Sequence, residues 1–317
     1  MTRPQRSKHG ENLNHIALIG FGEAARAFVS GWAEGNGVSF AAYDIKTDNP
    51  ATAGAMRLAY DAAHVHGATN ITELLADASL VFSLVTADQA ATAAASAASA
   101  ASRIVPGSLY FDGNSCSPNT KRQNAVLIES AGGRYVDMAI MAPVHPKLHK
   151  TPILLSGPHA KIAATTLNAL AMEVRIEPGP VGRASSIKMI RSVMVKGMEA
   201  LTAECLLAAR LAGVADLVLD SLEKSDPGHG WAEKSAYNLE RMMQHGERRA
   251  AEMREVAATI TDLGLTGSMA SATVEWQQKI GALHLASGKN DAMARADLIL
   301  AALGKTPPTE GENGVSK

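Results

Sequence analysis

At 317 residues, with 46% hydrophobic and 19% charged side chains, the chain has material for about two domains with substantial cores. A formal net charge of -1 excludes the basic balance expected of a binder of nucleic acid or anionic membrane, and 4% aromatic residues leave little for base stacking. No apolar run approaches the ~18 residues of a membrane span, and Cys116 and Cys205 lack metal-ligand spacing, so a cytoplasmic protein with reduced thiols is expected.

Residues 1–13 are basic, carry no apolar segment of signal-peptide type behind them, and read as a flexible tail, as do residues 305–317. From His15 to about Ile176 the apolar runs HIALIG, VSFAAYD, SLVFSLVT, SLYFDG, RYVDMAI, PILLSG and EVRIE alternate with helical stretches. Continuous apolar strands spaced by helices predict a mostly parallel, doubly wound α/β Rossmann domain over residues 14–181. The Ala-rich ADQAATAAASAASAAS suits a tightly packed helix better than a linker. After EPGPVG the strand pattern stops. A long interdomain helix is predicted over 182–212, followed by an all-α C-terminal domain over 213–304 whose helices are separated by Gly or Asp-Pro-Gly.

The first strand runs into GFGEAA, a G-x-G-x-x-A spacing between strand and helix. Gly20 permits the sharp turn, Gly22 lets backbone approach a pyrophosphate, and Ala25 lets the helix pack on the strand. The helix start offers N–H groups and a positive dipole end to phosphates. Cofactor contacts are therefore expected from Gly20, Phe21, Gly22, Glu23, Ala24 and Ala25. Asp44 ends the second strand 22 residues after Gly22, where a carboxylate accepts from both ribose hydroxyls of NAD and repels a 2′-phosphate. Folds that bind S-adenosylmethionine also place an acid there, and an acid can simply open the turn YDIKTDNP. NAD is the expected cofactor, with NADP possible because Lys46 lies close by. Thr86, ending SLVFSLVT, falls where the nicotinamide ribose would pass.

In GRASSIKMIRSVMVKGMEAL, helical phase puts Lys188, Arg191, Ser192, Val195 and Glu199 near one stripe. Ile187, Ile190, Met194, Met198 and Leu201 form an apolar stripe beside it, so the helix is expected to be largely buried. A lysine in a helix is usually solvated, but a partly desolvated one has a lowered pKa and passes protons near neutral pH. The segments IALIGFGEAA, FDGNSCSP, YVDMAIMAP and GRASSIKMIRS together resemble the β-hydroxyacid dehydrogenase superfamily of 3-hydroxyisobutyrate dehydrogenases, 6-phosphogluconate dehydrogenases and imine reductases. The helical half, through SIKMIRSVMVKGMEALTAECLLAA and RRAAEMREVAATITDLGL, is similar to its phosphogluconate-dehydrogenase-like branch.

The resemblance implies hydride transfer between NAD(P) and a β-hydroxyacid-like substrate, with Lys188 as general acid/base. It also implies a homodimer or a dimer of dimers packed through the helical half. The family's asparagine four residues on is Ser192 here. Its Asp-x-Ser-Thr loop reads DGNS, giving Asn114 and Ser115 as substrate contacts. Its Asp-Ala-Pro-Val-Ser-Gly-Gly loop reads DMAIMAP, putting Met141, Ala142 and Pro143 where a serine and glycines cradle a carboxylate. Imine reductases lack the lysine, so Lys188 counts against that assignment, while the altered cradle keeps open a reductase of imines or ketones without a carboxylate. A non-catalytic, dinucleotide-binding redox sensor is the second alternative, and a methyltransferase suits the helical half poorly. No metal is expected, because prolines make the His145–His149 stretch a loop. TKRQN and HGERRAAEM read as solvated helix faces, with His245 and Arg249 the first exceptions to test.

Overall fold

The computed structural model describes residues 15–33, 37–100 and 105–308. The tail segments 1–13 and 309–317 lie outside the described residues. By its contacts the chain divides into two compact units, with the boundary between Lys188 and Met189.

In the first unit, β1 (His15–Ile19), β2 (Ser39–Tyr43), β3 (His66–Gly67), β4 (Leu80–Ser83), β5 (Leu109–Asp112), β6 (Arg134–Ile140), β7 (Ile153–Ser156) and β8 (Val174–Ile176) form one sheet in the order β3-β2-β1-β4-β5-β6-β7-β8. All neighbours are parallel except β6 and β7. Helices α1 (Glu23–Trp32), α2 (Pro50–Ala62), α3 (Ile71–Leu75), α4 (Ala90–Ser99), α5 (Pro118–Ser130) and α6 (Ala160–Ala169) connect the strands. The two-residue β3 was not legible as an apolar run: His66 and Gly67 are exposed, and backbone pairing to β2 alone defines them. The core strands read as continuous apolar runs because both faces are covered, by one cluster around Phe28, Trp32 and Phe82 and another around Leu74, Tyr110 and Tyr135. The alanine-rich stretch is α4, which buries Ala90, Ala93, Ala94 and Ala97 at helical spacing. Strand order reverses between β1 and β4, so their carboxyl ends frame the crevice where such folds bind ligands.

Helix α7 (Arg183–Leu211) begins in the first unit, where Ala184 packs with Ala139 and Leu154, and continues as part of the second. The second unit adds α8 (Ala215–Ser225), α9 (Trp231–Asp262), α10 (Ser268–Gly281) and α11 (Ala292–Ala302). Its core joins Leu206 and Leu207 of α7, Leu239 and Met242 of α9, Ile280 of α10 and Ile299 of α11. Helices α9 and α10 cross closely at Gly246 and Gly281: a methyl group on Gly246 would lie 2.7 Å from the Gly281 Cα. Among the described residues no helix is long and apolar enough to cross a membrane.

The expected apolar stripe on α7 is not buried within the chain: Ile190, Met194 and Leu201 are 47%, 66% and 54% exposed. The buried face instead carries Ser185, Met189, Ser192, Lys196, Glu199, Ala203 and Leu206. Polar members are tolerated there because they are bonded. Glu199 accepts from Arg249 Nη1 at 2.5 Å and from Gln277 Nε2 at 2.7 Å, and Lys196 pairs with Glu252 at 2.5 Å. Arg249 is thus a buried ion-pair partner, not part of a solvated face.

Candidate active site

The turn after β1 is built around Gly20, whose φ of +84° is readily adopted only by glycine. A Cβ there would also lie 2.8 Å from the Leu84 carbonyl oxygen, so the glycine lets the β1 and β4 ends come together. Gly22 is the N-cap of α1 and brings no side chain to the first-turn N–H groups. A Cβ on Gly22 would meet nothing within 4 Å, leaving open space over the helix start. Ala25 is buried behind the turn, Phe21 packs on Tyr60 in the core, Ala24 is half-buried and Glu23 is exposed.

Asp44 shapes this turn as well as facing it. Its Oδ2 accepts from the Phe21 N–H at 2.8 Å and its Oδ1 from the Lys46 N–H at 3.0 Å. The Phe21 amide is therefore committed to Asp44. Gly20, Gly22, Asp44, Ile71, Val85 and Thr86 line one cleft of about 290 Å³, apolar in most of its wall. An uncapped helix start, an open glycine and a strand-end carboxylate on one cleft fit an adenine dinucleotide.

Beyond the cleft, β5 ends in the loop that holds Asn114 and Ser115. Asn114 is buried and both ends of its amide are bonded: Oδ1 accepts from the Val85 N–H at 2.7 Å, and Nδ2 donates one hydrogen to Ser83 Oγ at 2.9 Å. These bonds tie the loop to the cleft wall and leave the second Nδ2 hydrogen for the substrate contact expected of it. Ser115 is half-buried, and its Oγ accepts from Lys188 Nζ at 2.7 Å. Two residues 73 positions apart, both singled out from sequence, thus meet. Ser192 lies one turn further along α7 and is buried.

A buried charge cluster supports this pair. Asp112 and Asp137 are register partners on β5 and β6 and are fully buried. Lys121, also fully buried, donates to Asp112 Oδ1 at 3.0 Å and to the Asp112 carbonyl, and lies 3.7 Å from Asp137 Oδ1. Burial pulls the Lys121 pKa down, but the neighbouring charges, Asp112 foremost, outweigh it and hold the pKa up. Asp137 Oδ2 accepts from Ser156 Oγ at 2.8 Å and from the Gly182 and Ser185 N–H groups at 3.0 and 3.2 Å. It anchors the first turn of the helix that carries Lys188. Reading TKRQN as a solvated face is therefore wrong for Lys121. Its signal was a pair of aspartates in two apolar strand runs, Asp112 at the end of β5 and Asp137 in the middle of β6, which require a cation once buried.

Residues 15–175 match the family model described as the NAD binding domain of 6-phosphogluconate dehydrogenase, and residues 209–280 match a domain of unknown function, DUF1932. A conserved hypothetical protein from Sinorhizobium meliloti 1021 is 37% identical over 92% of this chain and 97% of its own, with a TM-score of 0.69. The chain belongs to the β-hydroxyacid dehydrogenase superfamily.

A second structure, of a conserved protein of unknown function described as similar to 3-hydroxyacid dehydrogenases, is 28% identical over 89% of this chain and 99% of its own (TM-score 0.64). The Mycobacterium tuberculosis 3-hydroxyisobutyrate dehydrogenase, solved with L-serine, shares the fold at 16% identity, 90% and 99% coverage and a TM-score of 0.67. As a member of this superfamily the chain binds NAD(P) through the first unit. In the loop after β6 few N–H groups are open to a ligand. The Met141 N–H is bonded to the Pro152 carbonyl at 2.9 Å, Pro143 has no N–H, and Ala142 and Pro143 are exposed. Met141 instead packs beside Ile187 against Ala184 of α7. His149 is buried against α1 beside Trp32 while His145 is exposed, and no group of three metal-binding side chains occurs among the described residues.

Proposed function

We propose that the chain is an NAD(H)-dependent oxidoreductase acting on a β-hydroxyacid-like hydroxy or carbonyl compound, with Lys188 as general acid/base. The observation that carries this reading is the 2.7 Å bond from Lys188 Nζ to Ser115 Oγ, in a loop tied through Asn114 to the wall of the dinucleotide cleft. A nicotinamide held there supplies or takes the hydride. In reduction the Lys188 ammonium gives a proton to the carbonyl oxygen; in oxidation the neutral amine takes the hydroxyl proton. Ser115 accepts from Lys188 and keeps its own hydroxyl hydrogen for a substrate oxygen. Ser192 is the further candidate for orienting the reacting group. Asp44, at the cleft wall, favours NAD over NADP through charge repulsion of a 2′-phosphate.

The bonded Met141 amide and Pro143 favour one alternative, a ketone or imine reductase whose substrate has no carboxylate. Turnover of a 3-oxo acid panel against the matching esters and amides, with NADH, separates the two. In either case Lys188→Ala is expected to lose about 10²- to 10⁴-fold in kcat with NADH affinity unchanged. A variant that turns over at the wild-type rate would remove Lys188 from the chemistry. Self-association as a homodimer, or a dimer of dimers, belongs to the same reading and is supported by the exposed Ile190, Met194 and Leu201.

A further inference from the structure

The helical unit contains a set of basic side chains that the dehydrogenase reading does not use. Arg241, His245 and Arg249 recur every four residues along one stripe of α9. Arg249 is nine-tenths buried and pairs with Glu199, whose second oxygen is held by Gln277. Glu252 is shared between Lys196 and Arg248. Arg241 forms no ion pair with any described carboxylate, and both the Arg241 and Arg249 Nε atoms are buried without a hydrogen-bond acceptor. A guanidinium stays charged, so two buried N–H donors on neighbouring cations present an unmet demand for a negative acceptor. Burial, and after it the Arg249 charge, lowers the Arg241 pKa, while Tyr237 and Glu199 offset this only in part. The local field therefore disfavours Arg241 as it stands.

We propose that the Arg241–His245–Arg249 face of α9 is an oxyanion-binding site for the carboxylate or phosphate group of a small molecule. The planar guanidinium fork suits an acceptor with two or more oxygens, and chloride cannot fill both Nε positions in the same way. Because the site lies wholly in the second unit, it stands or falls independently of the nucleotide cleft.

The test is the thermal midpoint of the full chain without nucleotide, titrated with inorganic phosphate and separately with malonate, with chloride keeping ionic strength constant. The wild type is expected to gain stability saturably with one of the two, and the stronger response identifies phosphate or carboxylate. Arg241→Met is expected to have a higher midpoint in chloride alone, because a repelled cation is gone, and to bind the responding anion roughly tenfold or more weakly. Its response to NADH should match that of the wild type. A response to phosphate that survives Arg241→Met unchanged belongs elsewhere, for instance to the glycine loop, and overturns the site. The absence of any saturable gain in the wild type overturns it too, whether or not the variant folds.

Discussion

Asp44 holds the glycine turn by accepting the Phe21 and Lys46 N–H groups, and it presents the same carboxylate to the cleft. Asp44→Ala should therefore weaken NADH binding about tenfold or more, since charged hydrogen bonds are lost, and weaken NADPH less. Isothermal titration with both nucleotides checks this, and an equal loss for both would assign Asp44 to the turn alone. The glycine turn and the strand-end Asp44 were legible because each sits in a local motif, whereas the bond between Ser115 and Lys188 joins two segments 73 residues apart; what these groups do to a ligand belongs to the proposed function. Asn114 was legible as a polar loop residue, but its direction was not. Its partners Ser83 and Val85 are about thirty residues away and become neighbours only when β4 and β5 pair.

Among the elements, α7 shows where helical periodicity misleads. Its sequence offers an apolar stripe and a polar one, and within the chain the one with Ser192, Lys196 and Glu199 is buried, because α9 and α10 supply bonded partners for Lys196 and Glu199. Only the tertiary partner decides between such stripes, and no window along one helix contains it. Lys121 is the same case in the first unit, a helix lysine drawn inward by Asp112 and Asp137. Lys121→Met would leave two buried carboxylates without their cation and is expected to destabilise the first unit by about 3–5 kcal/mol. Urea unfolding followed by the near-ultraviolet signal of Trp32, which lies in that unit, reads the change. A midpoint within error of wild type would show that the cluster is not a net contributor.

For the whole molecule, the exposed Ile190, Met194 and Leu201 on α7 predict a self-associated protein. Met194→Lys should shift the mass measured by light scattering toward that of a 33.1 kDa single chain, and an unchanged mass would move the interface off this face. The two-part architecture was readable in the switch from strand–helix alternation to helix alone at EPGPVG. The unit boundary falls inside α7, between Lys188 and Met189 and within the helix expected to join the domains, because the helix's first turns pack on β6 and β7 residues and later ones on α9.

The most direct test is the thermal midpoint of the full chain across concentration series of NADH and NADPH. A ligand at 100 times its dissociation constant adds about 2.7 kcal/mol, a shift of several degrees for a protein of this size. A larger shift is expected with NADH than with NADPH. No shift with either would contradict the dinucleotide cleft, and with it the role of Lys188.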